Sequence, residues 1–177
     1  KGEKLLPLVK ENNKHHDNFK NNDSNTNIRA ILKYFSKEIR EILEKANLEK
    51  IRGLEEIRLR AEKPLIIQDF ANEWFIDYNG NITQNTRQPF IVKQQDILNT
   101  LEIMSRNSIY AFQDEIKNGF ITLTGGHRIG ISGKAVIEDG KIINIKDFSS
   151  LNIRISRAVE GCSLKALKYI INWKDNS

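Results

Sequence analysis

The chain has 177 residues, 39% of them apolar and 29% charged, with a formal net charge of +5. That length suits one domain with a real core, and the composition excludes a wholly disordered or fibrous protein. No apolar run approaches the roughly 20 residues that span a bilayer, no signal-peptide block opens the chain, and the single cysteine, Cys162, excludes an intrachain disulfide.

A cytosolic protein is the default expectation, and Lys1 in place of Met suggests a trimmed fragment. Residues 117–157 hold seven Lys and Arg against three acids, so most of the excess positive charge lies in that stretch. Residues 1–26 are dominated by Asn, Asp and Lys after a short Leu5–Val9 segment, and read as a polar extension or disordered tail. His15 and His16 stand together there without the further spaced ligands that a metal site needs.

From Asn27 the pattern changes, and residues 27–177 read as a single domain. Ile28, Ile31, Leu32, Phe35, Ile39, Ile42, Leu43 and Ala46 recur at three and four residues, the stripe of one amphipathic helix capped by Asn27. Glu55–Arg60 alternates, with Ile57 and Leu59 on one face and Arg58 and Arg60 on the other. That second face is either a binding face or the wet side of an edge strand. Leu65–Ile67 and Trp74–Tyr78 complete a meander.

Gln94–Met104 predicts a helix, and Asn107–Lys117 a second one capped by Ser108 and closed at Asn118-Gly119. Strands follow at Phe120–Leu123, Ile129–Ile137, Lys141–Ile145 and Leu151–Ser156, with Asp139-Gly140 as a hairpin turn. Ser163–Trp173 returns to helical spacing. The order is that of an α+β fold: a largely antiparallel sheet with helices packed on one face, preceded by an amphipathic helix.

Glycines crowd the run Gly119–Lys134, but it fails as a phosphate loop. Such a loop needs Gly, four residues, then Gly-Lys-Ser/Thr between strand and helix. Here Gly133-Lys134 is followed by Ala135, and Arg128 stands where the first glycine belongs. Gly125, Gly126, Gly130 and Gly133 read instead as structural turns or scaffolding, with His127 beside the first two. His127 has no Ser, Cys or Asp spaced to make a triad, and Asp114-Glu115 make no convincing acid–base pair. No catalytic and no metal-ligating residue is assigned.

Strand alternation places Arg128 and Lys134 on one face and Arg154 on the outer face of its own strand. If those faces coincide, the three form a cationic patch floored by Gly130, suited to phosphate or carboxylate; a solvated sheet face is the alternative. Nucleic acid is disfavoured, because Phe120 is the only aromatic between Lys117 and Ile145.

At these residues the chain resembles the stage III sporulation protein AA family of endospore-forming bacteria. The segments that carry the likeness are EEIRLRAEKPL at 55–65, YAFQDEIKNGFITLTGGHRIGISGKAV at 110–136 and IKDFSSLNIRISRAVEG at 145–161. The resemblance implies an ATPase related to the motors of type II and type IV secretion, placed on the mother-cell side of a channel complex joining mother cell and forespore. It further implies that a Walker-type core follows this region, that ATP and Mg belong to that core, and that this chain alone binds neither. On the same basis Arg128, Lys134, Arg154 and Arg157 become candidates for contact with nucleotide or neighbouring subunits of a ring. The alternative is an independent basic module for nucleic acid or an acidic protein.

Overall fold

The computed structural model describes residues 28–48, 51, 53–85, 87–106 and 109–156. The expected tail at 1–26, the helix at 163–173, the caps Asn27 and Ser108, Cys162 and Arg157 all lie outside them.

The first apolar stripe is buried as its spacing requires, with Ile31, Phe35, Ile39 and Leu43 at most 1% exposed. It is not one helix, however. Residues 28–32 are helical, 33–35 turn, and α1 (Lys37–Lys45) begins afresh at Ser36. The break has a local cause. Tyr34 and Phe35 donate back three residues, to the carbonyls of Ile31 and Leu32, and the Ser36 hydroxyl accepts from the Ile39 amide, an N-cap bond that starts the second helix. Ser36 N–H goes to buried Thr100 Oγ1 at 3.0 Å, tying the break to the next helix.

That helix is α2 (Gln94–Met104), with Ile97, Leu101 and Met104 buried as expected. Asp96 Oδ2 accepts the Lys93 amide at 2.8 Å and satisfies one donor of its first turn. The segment expected as a second helix is instead a 3-10 turn, Ile109–Phe112, leading into the short α3 (Gln113–Lys117).

Nine strands form two sheets among the described residues: β1 (Glu56–Arg60), β2 (Lys63–Pro64), β3 (Ile66–Gln68), β4 (Glu73–Ile76), β5 (Ile82–Thr83), β6 (Ile91–Val92), β7 (Phe120–Thr122), β8 (Arg128–Glu138) and β9 (Lys141–Arg154). The large sheet runs β5-β4-β3-β1-β9-β8-β7, and every printed pairing in it is antiparallel. β2 and β6 pair separately. The two strands expected at 141–145 and 151–156 are one, β9, which pairs with β8 along its length and with β1 near its end. Asp139 and Gly140, both at positive φ, close the β8–β9 hairpin, as the Asp-Gly turn predicts.

Register explains why one sheet face is dry. Ile67, Ile57, Ile153, Ile129 and Ile121 lie side by side across five strands, with Leu59, Leu151 and Ile131 beside them. All eight are buried, in one core with the apolar sides of α1, α2 and Ile116 of α3. The fold is α+β, with a large antiparallel sheet and helices to one side.

Candidate functional site

Period-two alternation turns the neighbours of those core residues to the opposite face. One row across that outer face reads Glu73, Gln68, Glu56, Arg154, Arg128, Thr122. The next reads Phe75, Ile66, Arg58, Asn152, Gly130, Phe120.

Arg58 is the hub of the first half. Its Nε donates to Glu56 Oε1, Nη1 to Glu73 Oε1 and Nη2 to Gln68 Oε1. Burial works against its charge, but the bonds to Glu56 and Glu73 outweigh that and hold its pKa above the ordinary value. Arg58 is therefore neither a free binding cation nor a solvated edge residue. Glu56, only 7% exposed, uses its second oxygen on Arg154 Nε at 3.5 Å. Alternation within EEIRLR puts Glu56 and Arg58 on one face, yet nothing in the sequence signals that they neutralise each other.

Arg128 and Arg154 stand directly opposite each other on β8 and β9, a like-charge pair that costs stability unless something offsets it. Glu56 offsets Arg154 in part. Arg128 lies over the Phe120 ring at 4.7 Å from its centroid, which positions the guanidinium without neutralising it. Beside them the Asn152 Oδ1 is buried and has no hydrogen-bond partner among the described residues. The structure thus brings two of the expected cations together.

Lys134 lies elsewhere. It is six residues from Arg128 on the same strand, about 20 Å in extended chain, and is paired in register with Lys146 beyond a bulge at Gly133. Arg157 is outside the described residues.

The glycines divide likewise. Gly125 and Gly126, at φ 94° and 78°, make the β7–β8 turn closed by Gly126 N–H to Leu123 O at 3.0 Å; positive φ at the third turn position is the type II requirement. Gly130 and Gly133 are not turns but lie inside β8. A Cβ at Gly130 would meet nothing closer than 3.7 Å, whereas one at Gly133 would lie 2.6 Å from the Lys146 carbonyl oxygen and 2.8 Å from Ile145 Cγ2. Gly133→Ala is accordingly expected to lower the melting temperature by several degrees and Gly130→Ala to leave it nearly unchanged. Thermal melts of the two variants check this, and equal melts would contradict the bulge.

His127 is 2% exposed, and its Nδ1 accepts the Ser156 amide at 3.1 Å, so it holds the strand end in place and offers no exposed base. Burial pushes its pKa below the ordinary 6.5. A depressed histidine contributes stability that is present above its unfolded pKa and lost as pH falls through the folded one. Melting temperature should therefore drop as pH falls from 7 towards 5, and His127→Gln should flatten that slope; an unchanged slope would contradict the assignment.

No group of three His, Cys, Asp or Glu side chains gathers around a possible metal position among the described residues. Gly133-Lys134-Ala135 continues β8 and opens no helix, so this run is not built as a phosphate loop. No helix among the described residues is long and apolar enough to cross a membrane.

Comparison with known proteins bears on these residues as a set. The family described as "Sporulation stage III, protein AA" matches residues 25–177. Stage III sporulation protein AA of Bacillus subtilis (strain 168) is 30% identical over 117 residues, which are 66% of this chain and 34% of that protein. The chain therefore spans about one third of the length of that relative. No solved structure matches.

Proposed function

Since the chain belongs to the sporulation stage III protein AA family, we propose that it is the amino-terminal assembly and regulatory domain of a sporulation ATPase. Residues 27–177 form this domain, and 1–26 are an extension to it. The core that binds ATP and Mg lies outside this chain, and the domain alone does not hydrolyse ATP. The full protein works in the cytoplasm on the mother-cell side, in a ring of subunits. There it energises or assembles a mother cell–forespore channel and meets the membrane only through partner proteins.

One observation carries the site assignment: Arg128 and Arg154, opposed and incompletely neutralised among the described residues, on the sheet face opposite the described helices. Planar forks held at a fixed separation suit phosphate or carboxylate presented by a neighbouring subunit or its nucleotide. Arg157 belongs to the same assignment by its place in the matching segment, and Lys134 marks a second contact further along β8. The coding sequence of the full protein tests the premise. It should contain Gly-x-x-x-x-Gly-Lys-Ser/Thr downstream of Ser177, and its absence would remove the ATPase reading.

The opposed Lys134 and Lys146 favour a second reading, an independent basic module for nucleic acid or an acidic protein. Binding of the chain to generic duplex DNA, steeply weakened by salt, supports it. No binding at low salt eliminates the nucleic-acid form.

A further inference from the structure

The β8–β9 ribbon runs beyond the sheet that anchors it. β7 pairs with β8 only as far as Gly130, and β1 with β9 only as far as Ser150. Lys134–Glu138 and Lys141–Lys146 therefore pair with each other alone among the described residues. A bare two-stranded ribbon is marginal in water, yet this one carries isoleucines at its end: Ile137 is 65% exposed, and Ile142 and Ile143 are each 45% exposed.

Register sets Ala135 opposite Ile145 and Ile137 opposite Ile142, so one face of the arm is apolar from root to tip. At the root that face runs into an open cavity of about 640 Å³, walled by Leu98 of α2, Ile109, Ile116 of α3, Ile145 and Phe148. An exposed apolar knob and an open hole with an apolar floor and a polar rim thus lie at the two ends of the arm. Ile142 and Phe148 are six residues apart, about 20 Å in an extended strand.

We infer that this arm joins two copies of the chain. Under a twofold axis the arms lie antiparallel, and Ile137 and Ile142 of each copy enter the root cavity of the other. A twofold contact has to be self-complementary, and knob and hole on the same face meet that condition together. Charge agrees with it. The Glu138-Asp139 turn of each arm arrives near Lys146, on the rim of the other cavity, and Lys117, the last residue of α3. Asp147 is the one acid on that rim. A lipid surface fits less well, since Glu138 and Asp139 outnumber Lys141 at the tip. The inference concerns the chain by itself and does not depend on the ATPase reading.

Sedimentation equilibrium of the 177-residue chain from 5 to 300 μM tests it. The expected result is a monomer–dimer equilibrium, weakened at least tenfold by Ile142→Glu and, separately, by Leu98→Glu. Ile142 lies on the exposed arm, so Ile142→Glu should keep the wild-type circular dichroism and melting curve. Cross-linking guards against a fold defect in either variant. In a Cys162→Ser background, mixing Ile142→Cys chains with Gln113→Cys chains should give a mixed disulfide between copies, since Gln113 also lines the cavity. A monomer throughout the range overturns the inference. So does a dimer that Ile142→Glu leaves intact and that yields no mixed disulfide.

Discussion

Phe35→Ala is expected to lower the free energy of unfolding by about 3–5 kcal/mol, the range for emptying a buried aromatic site. Phe35 is 0% exposed and sits where the first apolar stripe breaks between residues 28–32 and α1. Its backbone is held by the bond from its amide to the Leu32 carbonyl at 3.2 Å, and the adjoining Ser36 amide is bonded to Thr100. Little around it can relax into the space. Urea unfolding should show the loss as a lower midpoint with an unchanged slope. A loss below about 1 kcal/mol would mean that the break is not packed as described.

Glu56→Ala is expected to cost about 2–4 kcal/mol, because removing one partner of a largely buried ion pair strands the other. Its carboxylate joins Arg58, whose side chain is 21% exposed, to Arg154. Without it Arg58 keeps Glu73 and Gln68 among the described residues. Glu56→Gln, which retains one acceptor, should cost less than Glu56→Ala. The same denaturant experiment ranks the pair: equal costs would show that the lost charge, not the retained acceptor, sets the penalty, and a cost below about 1 kcal/mol for both would contradict the pairing with Arg58. The change also releases Arg154, so Glu56 acts on the candidate site by positioning that guanidinium.

The apolar stripes were legible because burial imposes a period on them. Ile31 to Leu43, the alternation of β1, and Ile97 to Met104 all face the core as their spacing demands. What stayed illegible depends on partners far along the chain. The break before Ser36 uses Thr100, which no local pattern around 33–36 announces. β9 reads as two strands because Lys146-Asp147-Phe148 interrupts the alternation; a bulge, with Asp147 at φ 50°, carries one strand through. β5 and β6 are too short, at two residues each, to show a period.

The candidate site follows the same rule. Alternation could place Arg128 and Arg154 each on an outer face, but only the β8–β9 register sets them opposite one another. The same register separates Lys134 from them. Whether Arg58 is free or paired depends on Glu73, reached through β3 and β4. The Phe120 ring beneath Arg128 is likewise a cross-strand product, since Phe120 pairs with Gly130 and Gly130 leaves that neighbourhood uncrowded.

The measurement that bears most directly on the account is ATP hydrolysis by the full-length protein, wild type against Arg128→Ala and Arg154→Ala, with subunit assembly followed by light scattering. Both arginines are exposed, so the variants should keep the fold. The account predicts activity or assembly reduced at least tenfold in each, with no hydrolysis by the 177-residue chain alone. Wild-type hydrolysis and assembly in both variants would contradict it.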